Sequence, residues 1–275
     1  MPMVRDGESG NWIGTFAGHK GAVWSCQLDP SGNLAATASG DFSVQVWDAI
    51  TGQALWQFPH NHIVKTCHFS PDSKRLATGG HEGVLRVFDL TLSPKTNVGK
   101  EIPQSTTDKI VISKCLWWTD GIVLTGSSDG KVRFWQVSGD DVPPEPMHTL
   151  ETEGAEVRDM ELTHLPSGDI LTVAAGDKVY FFHLQDKKLL HAYQMPIHFR
   201  EEGGASLHPD GHKFVAGGSD LWVRIFDFKT GEELECNKGH HGPIRCVRFS
   251  PDGKIYASGS EDGTIRLWKT EPEAQ

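Results

Sequence analysis

The chain is short of the residues and patterns on which most catalytic sites are built. Its 275 residues include five cysteines and no C-x-x-C pair, which leaves nothing to build a cysteine-rich metal ribbon or a disulfide framework. Fourteen histidines are present, yet there is no H-E-x-x-H, and no H-x-x-x-H pair falls on a predicted helix. Walker-type and dinucleotide-binding glycine patterns are missing. So is any nucleophile–base pair with a supporting third group. No catalytic, cofactor-binding or metal-ligating residues are therefore expected. No run of 18 apolar residues could cross a membrane as a helix. The opening MPMVRDGESG is not a signal peptide, and no N-x-S/T sequon occurs. With so little cysteine, the expected compartments are cytoplasm and nucleus. Positive charge is also scarce: 26 Lys and Arg stand against 36 Asp and Glu, a net charge of −10. General binding to nucleic acid needs a basic stripe. Any RNA association is thus expected to run through partners.

Glycine (30) and the large aromatics (9 Trp, 13 Phe) are plentiful, and they recur in register. GHHGPIRCVRFSPDGKIYASGSEDGTIRLW runs from Gly239 to Trp268, and GHKGAVWSCQLDPSGNLAATASGDFSVQVWD from Gly18 to Asp48. His and Trp are 28 residues apart in both (His240 to Trp268, His19 to Trp47). W-D-like dipeptides begin at Trp47, Phe88, Trp135, Phe182, Phe226 and Trp268, spaced by 41, 47, 47, 44 and 42 residues. A period near this length marks a repeat architecture. In the first unit, Ala22–Leu28, Leu34–Ala38, Val44–Trp47 and Ala54–Phe58 read as short strands bounded by turn residues. A four-stranded sheet of this size cannot cover both its faces. Packing sheets radially does so. The fold class is therefore all-β, a β-propeller with six readable units, in one domain spanning 1–275.

Side chains with matching spacing predict a hydrogen-bond chain in each clear unit. In the last, His240, Ser258, Asp262 and Trp268 are placed so that Asp holds the His tautomer and Trp donates its indole N–H to Ser. His19, Thr37, Asp41 and Trp47 match them in the first. The second has His60 and Thr78, with Glu82 and Phe88 in place of Asp and Trp. The third has Thr125, Asp129 and Trp135, with Asp108 at the His position. In the fifth, Asp220 survives and His198 falls at the His spacing. Cys26, Cys67 and Cys115 share one repeat position and are expected as buried thiols on innermost strands. Gly126-Ser127-Ser128-Asp129-Gly130 matches G-x-S-x-G, but here it reads as a turn between strands. The carboxylate pairs Asp140-Asp141 and Glu201-Glu202 read as solvated loops.

These segments resemble the WD-repeat β-propeller family over essentially the whole chain. Within it, GNWIGTFAGHKGAVW, HNHIVKT, ASLHPDG and GEELECNKGHHGPIRCVRFSPDG are similar to the serine/threonine-kinase receptor-associated family. The GH-x-GAVW and GH-x-GPI segments are shared with subunit i of eukaryotic translation initiation factor three. The resemblance implies a non-catalytic scaffold. Its partners would be the SMN–Gemin assembly that loads Sm proteins onto spliceosomal small nuclear RNAs, and kinase receptors or Smads of TGF-β signalling. The alternative it implies is a translation-initiation scaffold. The family has seven repeats, and the first three strands of a seventh unit are mostly absent here. Either Trp12–Phe16 supplies the outer strand of the last sheet and closes six blades, or the chain is an incomplete seven-bladed propeller with exposed sheet faces and an open edge.

In a propeller the loops entering the innermost strands, and the turns before the third strands, form a rim at one face. The residue five past the repeat His falls on that rim: Trp24, Lys65, Ser113, Arg158 and Arg245, with Gly203 in the fifth unit. The turns add His81 and Glu261. Trp and Arg exposed on such a surface are preferred anchors for protein partners. Trp24 can also pack on a neighbouring loop, and the basic residues can simply be solvated. Partner-binding candidates are therefore Trp24, Lys65, His81, Arg158, Arg245 and Glu261.

Overall fold

The structure is a computed structural model that describes all residues except 94–95, 106–108, 140–144, 200–202 and 271–275. Asp108, Asp140-Asp141 and Glu201-Glu202 lie outside the described residues. The described chain is built of short antiparallel strands in two compact units, Met1–Glu151 and Thr152–Gln275.

The first unit opens with β1 (Met3–Arg5) and β2 (Trp12–Thr15), paired only with each other. Three sheets of four strands follow. They are β3 (Val23–Leu28), β4 (Leu34–Ser39), β5 (Ser43–Asp48) and β6 (Ala54–Pro59); β7 (Val64–Phe69), β8 (Arg75–Gly80), β9 (Val84–Asp89) and β10 (Lys100–Pro103); and β11 (Ile112–Thr119), β12 (Ile122–Ser127), β13 (Lys131–Gln136) and β14 (His148–Glu151). The second unit holds β15 (Val157–Leu165), β16 (Gly168–Ala175), β17 (Lys178–His183) and β18 (Lys188–Gln194). Next come β19 (Gly204–Leu207), β20 (Lys213–Gly217), β21 (Trp222–Asp227) and β22 (Glu233–Lys238). A last sheet of three has β23 (Ile244–Phe249), β24 (Ile255–Ser260) and β25 (Ile265–Lys269). Strand order within every sheet follows the chain, as in the blades of a WD-repeat β-propeller.

Consecutive sheets share apolar cores. Phe58, Val64, Phe69, Leu76 and Phe88 join the first two four-stranded sheets, where the Phe58 and Phe88 rings stack at 4.1 Å. Ile112, Cys115, Trp117 and Trp135 join the second to the third with Ala77 and Leu85. In the second unit Phe181, Phe199, Phe214 and Phe226 form one such core, and Val215, Ile225, Ile244 and Tyr256 the next. Each fully buried Phe or Leu contributes roughly 1.5–3 kcal/mol, so these clusters hold the sheets together.

The strand β2 corrects one expectation. Trp12–Phe16 does not complete the last sheet; Trp12, Gly14 and Thr15 pair with Arg5, Val4 and Met3. Phe16 packs on Trp47 at 5.5 Å. No described residue supplies a fourth strand beside β25. Sheet faces are left uncovered in each unit. In the first, Leu28 on β3 is 47% exposed; in the second, Ile265 on β25 is 59% exposed. Cys26 is exposed for the same reason, so it is not the buried thiol its repeat position suggested. Cys67 and Cys115 are buried, and burial pushes both thiols up, Cys115 to about 12.

The hydrogen-bond chain is complete in the first and last repeats. The Trp47 indole N–H donates to Thr37 Oγ1 (2.8 Å), which lies 2.7 Å from His19 Nε2; His19 Nδ1 is 2.8 Å from Asp41 Oδ2. The last repeat matches it: Trp268 to Ser258 (2.8 Å), Ser258 to His240 (2.7 Å) and His240 to Asp262 (3.0 Å). With Trp occupying the hydroxyl as donor, the hydroxyl proton goes to Nε2, and Nδ1–H then donates to Asp. For Asp41, burial works to raise the carboxyl pKa, but bonds from Ser43, Lys20 N–H and His19 outweigh it and hold it well below the usual range.

Elsewhere the turn acid takes another partner. Glu82 does not hold His60; it pairs with the Arg86 guanidinium. Asp129 pairs with Arg133, and Asp220 with Arg224. All three arginines are at most 8% exposed, four residues past their acid on the next strand. His198 is exposed; its backbone N–H donates to Ser219 Oγ and its carbonyl accepts the Ser219 N–H. In the third repeat Thr125 donates to Gln104 (2.7 Å) and accepts from Trp135 (2.9 Å).

His60 keeps Thr78 (2.9 Å) and turns its other nitrogen to the Phe58 carbonyl (3.1 Å). Burial, and then the Arg86 charge, lower its pKa to about 4. A histidine depressed in the folded state contributes stability above its unfolded pKa of about 6.5, and that contribution is lost as pH falls through about 4. The shift corresponds to at most about 3 kcal/mol. His60→Gln should therefore flatten the fall in thermal midpoint between about pH 6.5 and pH 4, as read by differential scanning fluorimetry. An unchanged acid slope would show that His60 does not carry it.

Candidate functional site

The rim residues share a backbone cause. The pairing of β3 with β4 slips between Val23 and Ser25, so Trp24 is the extra residue of a β-bulge. The same slip singles out Lys65 between Val64 and Thr66, Ser113 between Ile112 and Lys114, Arg158 between Val157 and Asp159, and Arg245 between Ile244 and Cys246. A bulge re-aims a side chain out of the pleat. Five inner strands thus turn one residue each away from the sheet cores. In the fifth repeat β19 begins only at Gly204 and is paired regularly, so Gly203 offers no such side chain.

In the first unit Trp24 is 40% exposed, and the Lys65 ammonium lies 3.3 Å from its ring centroid. This cation–π contact keeps the indole exposed while supporting it. His81 is half-buried and stacks on His62 at 5.2 Å with the rings 11° apart. His62 also meets Phe42 at 5.5 Å. Burial lowers the His81 pKa, and the nearby Lys65, His62 and Lys109 charges lower it further. Sequence spacing pointed to Trp24, Lys65 and His81. It missed Phe42 and His62, whose rings come from a turn and a loop outside the five-residue rule.

In the second unit the rim cations are neutralised. Arg158 meets Glu156 at 2.8 Å, and Arg245 is ion-paired with Glu261. Deeper in this unit lies a cluster that sequence reasoning missed. Arg248 on β23 forks onto Asp159 on β15 (2.6 and 2.7 Å), with Glu161 at 3.5 Å. Asp159 is 3% exposed at its side chain. The pair passes across Gly204 of the intervening β19, where a Cβ would lie 2.4 Å from Asp159 Oδ2. Burial pushes the Glu161 carboxyl up to about 7, against the lowering effect of Arg248.

This arrangement suits recognition. Ser128, the serine of the G-x-S-x-G match, lies in the turn after β12 and accepts the Val111 N–H at 3.0 Å; the turn joins two strands and is not the strand-to-helix elbow of a hydrolase. Among the described residues no group of three His, Cys, Asp or Glu could hold a metal ion. The rim instead offers exposed aromatic and charged side chains on a rigid β framework, the composition of a protein interface.

A carboxylate whose folded pKa is raised makes the folded state lose stability as pH rises from its unfolded value of about 4.3 to about 7. Glu161→Gln keeps the Arg248–Asp159 fork and removes that loss. The variant should melt higher than the native chain at about pH 8 and equally below about pH 4. Arg248→Ala, which takes the forked guanidinium from the buried Asp159 carboxylate, should lower the midpoint more than Arg158→Ala, whose surface pair is worth at most about 1 kcal/mol. Equal midpoints for the two arginine variants would show that the fork does not stabilise the fold.

The WD domain, G-beta repeat family matches residues 10–48, 52–89, 102–136 and 231–269. The unmatched stretch between 136 and 231 holds β14–β21, where the His and Trp of the hydrogen-bond chain are lost. Serine-threonine kinase receptor-associated protein of Mus musculus is 42% identical over 275 residues, covering 98% of this chain and 73% of the relative. The protein of the same name from Dictyostelium discoideum is 43% identical over 271 residues, covering 98% and 87%. Eukaryotic translation initiation factor 3 subunit I of Culex quinquefasciatus is 28% identical over 292 residues, covering 97% and 86%. With the repeated blade sheets and nearly the whole chain aligned, this protein belongs to the WD-repeat β-propeller family, in the branch of the serine-threonine kinase receptor-associated proteins.

Proposed function

We propose that this chain is a non-catalytic scaffold of the SMN–Gemin assembly, presenting its rim to proteins that load Sm proteins onto spliceosomal small nuclear RNAs. Where type I and II receptors of TGF-β signalling and Smads exist, the same surface serves contacts with them. The chain works in cytoplasm and nucleus, and RNA reaches it through its partners. The observation carrying this reading is the 42% identity to a receptor-associated relative across 98% of the chain. The bulge-presented rim supplies the means: it holds out Trp24 and Arg245 without committing them to a sheet core. Binding energy at such surfaces concentrates in a few aromatic and arginine anchors. The second reading, a scaffold related to the initiation-factor subunit, has the 28% relative in its favour.

Affinity purification of the tagged chain followed by mass spectrometry separates the two. SMN, Gemin and Sm proteins should be recovered, and Trp24→Ala combined with Arg245→Ala should deplete them by about tenfold or more while the fold persists. Recovery of small ribosomal subunits and initiation factors without SMN or Gemin proteins would reverse the assignment.

A further inference from the structure

The last sheet stops one strand short of the other repeats. Each of β5, β9, β13, β17 and β21 has a fourth strand at its side, whereas β25 pairs with β24 alone. On β25, Ile265 and Leu267 are 59% and 38% exposed. The residues at these two positions, from Val44 and Val46 in the first repeat to Val223 and Ile225 in the fifth, are at most 7% exposed. The Thr264 carbonyl and the Thr270 N–H, at the two ends of β25, bond back to Ser260 and Lys254 on the β24 side. An antiparallel strand alternates its bonding direction residue by residue, so the N–H and C=O groups of Ile265 and Leu267 point to the open edge. Arg266, between them, is also unmatched. The equivalent Arg86 and Arg224 are each held twice. The acid of the turn takes one side (Glu82, Asp220), and a glutamate of the fourth strand takes Nε (Glu101, Glu233). In the last repeat the turn acid, Asp262, is occupied by His240, Thr264 and the His241 N–H. The Arg266 Nε–H is buried with no hydrogen-bond partner.

We propose that β25 is an acceptor edge for an extended segment of a partner protein, which adds to the sheet as its fourth strand. The segment sets a carboxylate opposite Arg266 and apolar side chains opposite Ile265 and Leu267. The second repeat contains the template. There Glu101 and Ile102 of β10 lie opposite Arg86 and Leu85; Glu101 meets the Arg86 Nε at 2.8 Å, and Ile102 is buried. The fourth strand follows the residue it faces: where the first repeat has Gln45 in place of arginine, Gln57 stands opposite. Charge selects the occupant. A second copy of this chain docking through its own β25 would bring IRLWK, a strand with two cations and no acid, and so leave Arg266 unmatched; like charges across a strand pair are destabilising. A partner strand bearing Glu supplies a charge-assisted hydrogen bond, roughly twice as strong as a neutral one. An open edge is a ready template for such pairing: main-chain bonds supply the affinity and alternate side chains the specificity. In the sheet, β24 separates β25 from the bulge-bearing β23. This surface therefore goes beyond the scaffold reading and does not depend on the rim.

Fluorescence polarisation tests this with a labelled Ser-Thr-Val-Glu-Val-Thr-Ser peptide and two counterparts. One carries Gln in place of Glu; the other is N-methylated on both valines, the residues that pair with Ile265 and Leu267. The Glu peptide should bind, and the Gln peptide about tenfold more weakly. The N-methylated peptide should not bind, because it lacks the N–H groups that extend the sheet. Arg266→Gln copies Gln45 of the first repeat, so its circular dichroism should be unchanged. This variant should bind the Glu and Gln peptides equally, about tenfold more weakly than the native chain binds the Glu peptide. Four results each overturn the proposal: equal affinity of the native chain for the Glu and Gln peptides, undiminished binding of the N-methylated peptide, no peptide binding at all, or a dimer of the chain in light scattering that blocks the peptide.

Discussion

Neither face of a sheet of four short strands can be covered by its own side chains. Everything else in this molecule depends on how neighbouring sheets solve that problem. Where a second sheet is packed alongside, aromatic and β-branched residues are wholly buried, as with Phe58 against Phe88 and Phe181 against Phe214. Where none is, the same repeat positions turn outward. Cys26 is exposed while Cys67 and Cys115 are buried, although all three occupy one position of the repeat. Burial here is a property of the neighbour as much as of the residue.

Within that frame the acid before each third strand has two solutions. Given a His and a Ser or Thr, it closes the chain to Trp, as Asp41 and Asp262 do. Without one, it takes an arginine four residues on, as Asp129 and Asp220 do. Glu82 shows that the choice is not set by the presence of His alone. Its longer side chain goes to Arg86, and His60 turns to a backbone carbonyl. Both solutions tie the turn to its sheet, which keeps the rim stiff. Stiffness matters because a preorganised surface loses less entropy on binding.

The β-bulges convert that stiffness into presentation. A regular strand would send Trp24 or Arg245 toward one of its sheet's own faces. One extra residue per inner strand sends it to the rim instead. The two units then use their rims differently. In the first, cations and aromatics stack on one another. In the second, Arg158 and Arg245 are balanced by Glu156 and Glu261, and exposed pairs of that kind add little energy but favour partners of matching charge.

The strand pattern, the repeat period and the two complete hydrogen-bond chains were legible in the residues, because each rests on spacing along the chain. The strands of the first full sheet fall within a residue of their expected bounds. Spacing also singled out Trp24, Lys65, Arg158 and Arg245 as one position of the repeat, though not the bulges that occupy it. Three features were set only by the tertiary structure. Trp12–Thr15 pairs with β1, since a strand's partner is chosen by proximity and register, which no local pattern encodes. Phe42 and His62 come together from separate loops. Arg248 reaches Asp159 across Gly204 because the intervening strand has no side chain at that point. Local sequence determined what each blade is; contacts between distant segments, set by packing, decided which residues meet.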